Sequence, residues 1–137
     1  MQNNILRRVA IGLVSLMALL QGFYAVYAFI EPVGFSILRG TELATAEDMD
    51  WIKIYASRTL FIALITGLLL YQQKYKVLMW AALFATVMPI TDAWLALEAN
   101  APDKIVLKHV ATVIYLLATT IVLKLVVKSP VYGEKQL

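Results

Sequence analysis

The chain has 137 residues, of which 61% are hydrophobic and 15% charged, with a mean hydropathy of +0.76 and a formal net charge of +3. Because soluble domains carry about 25% charged residues, this composition excludes an ordinary soluble domain and predicts an integral membrane protein. These residues include no cysteine, which excludes disulfides, thiol chemistry and cysteine metal sites, and the basic residues near predicted helix ends indicate membrane orientation rather than nucleic-acid binding.

Four apolar stretches predict four membrane-spanning helices in a single domain that covers residues 1–137. Each stretch is close to the roughly 20 residues that a bilayer requires, and the predicted helices cover about residues 5–30, 51–71, 77–97 and 105–127. The first contains an uncharged run from Val9 to Ile30, which is longer than the core of about 7–15 residues in a cleaved signal peptide. We therefore expect a retained first helix and an all-α, four-helix membrane bundle.

The segment after the first predicted helix, residues 31–50, is the longest connection. Its apolar residues include Phe35, Ile37, Leu38 and Leu43, which are too many for a freely solvated loop. Thr45 and the acidic residues at 47, 48 and 50 predict a helix start, because a threonine cap and negative charges stabilise a helix N-terminus. We expect a partly ordered outer loop that lies along the membrane surface or folds over the bundle mouth, either as a lid or binding loop or as a cover for apolar helix ends.

The distribution of lysine and arginine predicts that both termini are cytoplasmic. Seven basic residues fall on the side of the N-terminus: Arg7, Arg8, Lys74, Lys76, Lys124, Lys128 and Lys135. Four fall on the opposite side: Arg39, Lys53, Lys104 and Lys108. Since basic residues accumulate on the cytoplasmic side, we expect a multi-pass protein of the plasma membrane or, in a bacterium, of the inner membrane.

Three ionisable residues interrupt the last three predicted helices: Arg58, Asp92 and His109. A charged group in hydrocarbon costs several kcal/mol unless it is paired or hydrated, so such residues mark candidate functional sites. With a rise of about 1.5 Å per residue, all three lie roughly 8–10 Å below the outer membrane boundary. We therefore predict one polar site in the outer part of the bundle, with Arg58 in contact with Asp92.

Aromatic and polar residues at a similar depth are candidate ligand-binding residues. They are Gln21, Tyr24 and Tyr27 on the first predicted helix, Tyr55 on the second, and Met88 and Trp94 on the third. Pro89 lies three residues before Asp92 and lacks the N–H that a helix interior requires, so it predicts a kink beside the site. The tyrosines and the tryptophan are equally well interpreted as an aromatic belt at the membrane interface.

Two functional interpretations stay open, and they leave open whether the protein is an enzyme. In the first, the site binds a lipophilic small molecule or converts it by acid–base chemistry through Asp92, His109 and Arg58, as in an isomerisation, hydration or ring opening. In the second, the protein is a non-catalytic accessory or oligomeric component, and the same three residues form a structural cluster. One histidine without cysteine predicts no metal site, and no cofactor motif is present. The expected partners are the lipid bilayer, a lipophilic small molecule and, for an oligomeric component, further copies of the chain.

The order of these residues resembles that of one family of small four-helix membrane proteins. The resemblance is carried by Glu31-Pro32-Val33-Gly34-Phe35, by Arg58, by Pro89-Ile90-Thr91-Asp92-Ala93 and by His109. That family is known only as a domain of unknown function, and it is DoxX-like in size and topology. The resemblance covers roughly residues 9–127 and implies the fold and the choice of residues, but no activity.

Overall fold

The computed structural model describes residues 2–43, 45 and 47–129. This part of the chain forms six helices: α1 (Gln2–Ile30), α2 (Pro32–Arg39), α3 (Asp48–Tyr71), α4 (Tyr75–Ala85), α5 (Val87–Glu98) and α6 (Asp103–Val127). Four segments are long and apolar enough to cross a membrane: Asn4–Ile30, Asp48–Tyr71, Tyr75–Glu98 and Asp103–Val127. The predicted all-α fold with four spans is confirmed, and the chain is an integral multi-pass membrane protein. Cytoplasmic termini and a single domain over residues 1–137 stay predictions, and Lys135 lies outside the described residues.

Small side chains bring α1 and α3 together. Ala25 and Ala28 of α1 and Ala56 and Ala63 of α3 are buried, and a Cβ on Gly22 would lie 3.9 Å from that of Ala63. Since lipid tails are as apolar as leucine, close backbone approach rather than the hydrophobic effect favours such helix pairs. The contact between α1 and α3 is the most extensive between two helices in the described residues.

A separate core joins α1, α4 and α6 in the inner half of the bundle, by which we mean the half that contains the start of α1 and the end of α6. Its fully buried side chains are Ala10, Val14, Leu78, Ala82 and Leu123. In the outer half, which contains α2, helix α5 packs chiefly against α6. The outer half is therefore divided into an α1–α3 pair and an α5–α6 pair, with space between them.

The third membrane span is interrupted at Thr86, between α4 and α5. Pro89 explains the break, because its missing N–H leaves the carbonyl of Ala85 without a helical partner and its ring would clash with that carbonyl in a continuous helix. Pro89 instead occupies the first turn of α5, where no intrahelical N–H bond is made. The Thr86 hydroxyl donates to the carbonyl of Leu83 at 2.7 Å. The kink predicted before Asp92 is thus present as a helix break.

Helix α2 lies within the segment of residues 31–50 and packs on α1 and α3. Pro32 stands in its first turn, where the fixed φ of proline suits a helix start. Phe35 is buried, and its ring centroid lies 5.3 Å from that of Tyr55 and 6.3 Å from that of Tyr24. The expectation that part of this segment folds over the bundle is confirmed, with more helix than predicted.

Gly40 ends α2 and fixes its position on the α5–α6 pair. Its φ of 87° lies in the left-handed region, which glycine adopts without steric cost. A Cβ there would lie 2.8 Å from Ile105 Cγ2 and 3.0 Å from Ala101 Cβ. The end of α2 therefore approaches the α5–α6 connection at a distance that only glycine permits.

The start of α3 agrees with the sequence. The helix begins at Asp48, whose carboxylate accepts the backbone N–H of Thr45 at 2.8 Å. The Asp48 side chain thus ties the residues just before the helix to its first turn. The predicted helix start is confirmed, with Asp48 and Asp50 in the first turn, but the cap residue is Glu47 and not Thr45.

Candidate functional site

A cavity of about 580 Å³ occupies the space between the two helix pairs. Its wall is formed by Leu16, Met17, Leu20, Gln21 and Tyr24 of α1, Arg39 of α2, Tyr55 of α3, Val87, Met88, Pro89, Thr91 and Asp92 of α5, and Lys108, His109, Ala111, Thr112, Tyr115 and Leu116 of α6. Its volume lies within the range of roughly 300–1,000 Å³ that is usual for small-molecule sites.

The wall of this cavity changes in polarity along the bundle axis. At its outer end stand Arg39, Tyr55, Asp92, Lys108 and His109, whereas towards the middle of the spans it is formed by Leu16, Met17, Leu20, Val87 and Leu116. The wall residues of α6 extend from 108 to 116, which corresponds to about 12 Å at the helical rise. The cavity thus has a charged end and an apolar end.

Arg39 and Asp92 form an ion pair at the charged end, joining Nη2 to Oδ1, and both side chains are 18% exposed. The other terminal nitrogen of the guanidinium, Nη1, donates to the hydroxyl of Tyr55 at 3.2 Å. Its central carbon lies 5.2 Å from the ring centroid of Tyr55 and 5.8 Å from that of Phe35, within the distance of a cation–π contact. A carboxylate, a hydroxyl and two rings therefore fix the guanidinium in place.

His109 is buried, with 4% of its surface exposed. Its Nε2 lies 3.3 Å from the backbone carbonyl of Arg39, and its Nδ1 lies 3.8 Å from Oδ2 of Asp92. Because a carbonyl oxygen only accepts hydrogen bonds, the hydrogen-bond network assigns a proton to Nε2. His109 therefore connects α6 to the end of α2 and stands beside Asp92.

Lys108 makes a second contact with the end of α2. Its Nζ donates to the backbone carbonyl of Leu38. The last carbonyls of a helix lack intrahelical partners, and the C-terminus carries partial negative charge, so basic side chains stabilise it. Together with Asp92 and His109, Lys108 holds α2 against the α5–α6 pair.

Tyr115 stands at the apolar end of the cavity. Its hydroxyl donates to the backbone carbonyl of Leu13 in α1, so α6 and α1 meet there through a hydrogen bond as well as through apolar contacts. Below this level begins the buried core of the inner half, with Val14 and Leu123 fully buried. Tyr115 therefore marks the inner limit of the cavity.

The structure brings six of the nine predicted site residues to the wall of this one cavity: Gln21, Tyr24, Tyr55, Met88, Asp92 and His109. Three do not line it: Tyr27, Arg58 and Trp94. The structure thus gives the location of these six residues, but their catalytic or ligand-binding roles stay predictions.

The predicted contact between Arg58 and Asp92 is wrong, because Arg39 is the partner of Asp92. The Arg58 side chain is exposed, whereas the neighbouring Thr59 is buried, and successive helical residues differ in direction by about 100°. Among the described residues Arg58 has no ion-pair partner. On a lipid-facing surface, its long side chain can extend towards the headgroups.

Tyr27 and Trp94 have other contacts. Tyr27 stacks on Phe23, with ring centroids 6.0 Å apart, and meets the edge of Phe35 at 6.2 Å. Trp94 is 63% exposed, and its indole N–H donates to Oε1 of Glu98 at 2.8 Å. Both positions agree better with interfacial aromatic residues than with a place inside the cavity.

The residues that sequence analysis missed are chiefly Arg39 and Lys108. In the sequence both are basic residues outside or at the edge of the predicted spans, a position that indicates membrane orientation and not a place in a cavity. A signal for Arg39 does exist in the sequence, because a basic residue followed by glycine is a typical helix end, and Arg39-Gly40 ends α2. Within the part of the chain that the structure describes, no group of three His, Cys, Asp or Glu side chains could hold a metal ion.

Comparison with known proteins identifies a family without an assigned activity. No curated protein and no solved structure matches the chain. The profile of a domain of unknown function (DUF4267) matches residues 6–123, which include every residue of the cavity wall. The resemblance seen in the sequence is therefore confirmed, and the chain belongs to the DUF4267 family.

Proposed function

We propose that this membrane protein binds a lipophilic small molecule in the cavity between its two helix pairs. The observation that carries the proposal is a cavity of about 580 Å³ within the membrane spans, with a charged outer end and an apolar inner end. A concave, mostly apolar site with a few converging polar groups is the usual form of a small-molecule site. The polar group of the ligand would lie beside Arg39 and Asp92, and its apolar part between α1, α5 and α6.

The bilayer itself supplies a route into the cavity. Several wall residues also belong to the exposed surface of the spans, among them Leu16, Leu20, Val87, Thr91 and Thr112. In a membrane, that surface faces lipid tails, which dissolve lipophilic molecules. A ligand would therefore enter sideways from the hydrocarbon region and would not have to pass α2.

Acid–base conversion of the ligand is a further step that the same residues could perform. A general base must come within hydrogen-bonding distance of the proton it removes. Oδ2 of Asp92 lies 3.8 Å from His109 Nδ1, which is beyond hydrogen-bonding distance, so this oxygen keeps the capacity to accept a proton. Both nitrogens of His109 already face Arg39 or Asp92. In this form of the proposal Asp92 is the base, and Arg39, which pairs with its other oxygen Oδ1, positions it.

A structural role for the cluster is the competing proposal. Asp92, Lys108 and His109 all contact the last two residues of α2. These contacts would serve a non-catalytic accessory or oligomeric component equally well, because they keep the outer half of the bundle together. An experiment that fills the cavity without altering these contacts separates the two proposals.

Filling the cavity from α1 provides that experiment. Leu20 lines the cavity, whereas the adjacent Leu19 does not and is 71% exposed. Leu20→Trp should therefore exclude a ligand, and Leu19→Trp is the matched control. After purification in mild detergent, mass spectrometry of bound molecules should find the same lipophile on wild type and Leu19→Trp, and at least fivefold less on Leu20→Trp.

Two results would contradict ligand binding. One is a folded Leu20→Trp protein that retains as much of the molecule as wild type. The other is wild-type protein that carries no lipophile, either as purified or after incubation with decanol. Size-exclusion chromatography and circular dichroism establish that each variant is folded before it is compared.

A further inference from the structure

We infer that the molecule held in the cavity carries an anionic oxygen head group, which Arg39 and Lys108 bind. This inference rests on the proposed function, because it names the class of ligand for the same cavity. Two independent features of the charged end lead to it: the balance of charges in the wall and the hydrogen-bond donors that remain unused.

The cavity wall contains more positive than negative charge. Its charged side chains are Arg39, Lys108 and Asp92. The ion pair between Arg39 and Asp92 accounts for one charge of each sign, which leaves the ammonium of Lys108. Its hydrogen bond to the carbonyl of Leu38 does not neutralise that charge. An uncompensated cation next to a low-dielectric cavity is unfavourable, and an anionic ligand would compensate it.

The unused hydrogen-bond donors also favour an anionic ligand. A guanidinium has five N–H donors and an ammonium has three. Among the described contacts, the side chain of Arg39 donates to Asp92 and Tyr55, and that of Lys108 donates to Leu38. The hydroxyl of Tyr55 accepts from Arg39, so its own proton is free to donate. The charged end therefore offers several donors to a group that is rich in acceptors, and a carboxylate is such a group.

The apolar end determines the rest of the ligand. Leu16, Met17, Leu20 and Leu116 line the part of the cavity that lies furthest from Arg39. A depth of about 12 Å from residue 108 to residue 116 suits a short apolar chain that extends away from the head group. The ligand class is thus an anionic single-chain amphiphile, for which decanoate is a simple probe and decanol a neutral counterpart.

Lys108→Gln tests the inference without disturbing the ion pair between Arg39 and Asp92. Lys104 is its matched control, since it lies one turn earlier on α6, is exposed and does not line the cavity. Binding of decanoate and decanol to purified protein is measured by native mass spectrometry. Wild type should bind decanoate at least tenfold more tightly than decanol. Lys108→Gln should weaken decanoate binding about tenfold and decanol binding less than twofold, and Lys104→Gln should change neither.

Four outcomes would overturn the inference. Equal wild-type affinities for decanoate and decanol, both lost in Leu20→Trp, would exclude the anionic class but leave lipophile binding intact. Decanoate binding that survives Leu20→Trp unchanged would place the anion among the lipid headgroups outside the cavity. Failure of folded wild type to bind either probe would exclude both the inference and the proposed function. Lys108→Arg, which keeps the charge, should bind decanoate within about twofold of wild type, and a tenfold loss there would show that charge is not what matters.

Discussion

The inner and outer halves of the bundle are held together by different interactions. In the inner half, fully buried side chains such as Val14, Leu78 and Leu123 join α1, α4 and α6. In the outer half, α5 and α6 reach the rest of the bundle partly through polar contacts with α2, of which the ion pair between Arg39 and Asp92 is one. Close apolar packing leaves few cavities. The cavity accordingly lies in the outer half, where polar contacts take the place of part of that packing.

This difference assigns distinct roles to similar residues. Arg39 and Arg58 are both arginines near the outer ends of the spans, but only Arg39 has an ion-pair partner among the described residues. A lipid-facing arginine can reach the headgroups by itself, whereas an arginine in the cavity wall depends on its carboxylate. The following substitutions test whether the two halves differ in this way.

The largest effect should follow from Asp92→Asn, which leaves the guanidinium of Arg39 without its carboxylate. Breaking a buried ion pair costs about 3–5 kcal/mol, and with both side chains 18% exposed we expect the lower end of that range, about 3 kcal/mol. Thermal unfolding in detergent, followed by circular dichroism, measures the loss. The double variant Arg39→Met with Asp92→Asn should recover part of it, because no charge is then left unpaired.

Arg58→Met is the control for that experiment. Its exposed side chain has no ion-pair partner among the described residues, so the change in stability should stay within about 0.5 kcal/mol. If Arg58→Met instead lowered stability as much as Asp92→Asn does, the assignment of Arg39 as the partner of Asp92 would be wrong.

Gly40→Ala should have the next largest effect, because it alters the end of α2. The left-handed φ of 87° disfavours alanine by about 1–2 kcal/mol, and the new Cβ would lie 2.8 Å from Ile105 Cγ2. We expect a loss of about 2 kcal/mol in the same thermal assay. Gly12→Ala is the matched control, since a Cβ there meets nothing within 4 Å and alanine favours a helix. Equal effects at both glycines would mean that α2 is not docked through Gly40.

Leu123→Ala tests the inner half. Leu123 is fully buried, whereas Leu125 on the same helix is 48% exposed. Removing a buried leucine from a soluble core costs about 2–5 kcal/mol, but lipid tails replace much of the transfer contribution in a membrane. We therefore expect about 1–2 kcal/mol for Leu123→Ala and a much smaller loss for Leu125→Ala. A larger loss at the exposed position would contradict the packing of the inner half.

The sequence predicts the spans well because their physical cause is local. Each span is a run of apolar residues whose length matches the bilayer, and Pro89 breaks its helix through its own ring and missing N–H. Asp92 and His109 were found because an ionisable residue in such a run is conspicuous. All of these features can be read from neighbouring residues.

The partner of Asp92 could not be found in the same way. Arg39 is 53 positions earlier in the chain, in a segment whose path depends on how α2 packs against α1 and α3. Arg58 lies three residues after Tyr55, which does line the cavity, but the packed face of α3 is centred on Ala56, Thr59 and Ala63. A rotation of α3 about its axis by one residue therefore determines whether Arg58 lines the cavity or faces lipid. A run of apolar residues does not fix that rotation.

The smallest effect should come from Tyr115→Phe, at the boundary between the two halves. The Tyr115 hydroxyl donates to the carbonyl of Leu13, and losing one such hydrogen bond costs about 1 kcal/mol. Tyr71→Phe is the control, because Tyr71 is 86% exposed, and it should leave the unfolding temperature unchanged. If Tyr115→Phe is also neutral, apolar packing alone closes the inner end of the cavity, and polar contacts are confined to the level of α2. A loss near 1 kcal/mol would instead show that polar contacts hold the helices together at both the outer and the inner end of the cavity.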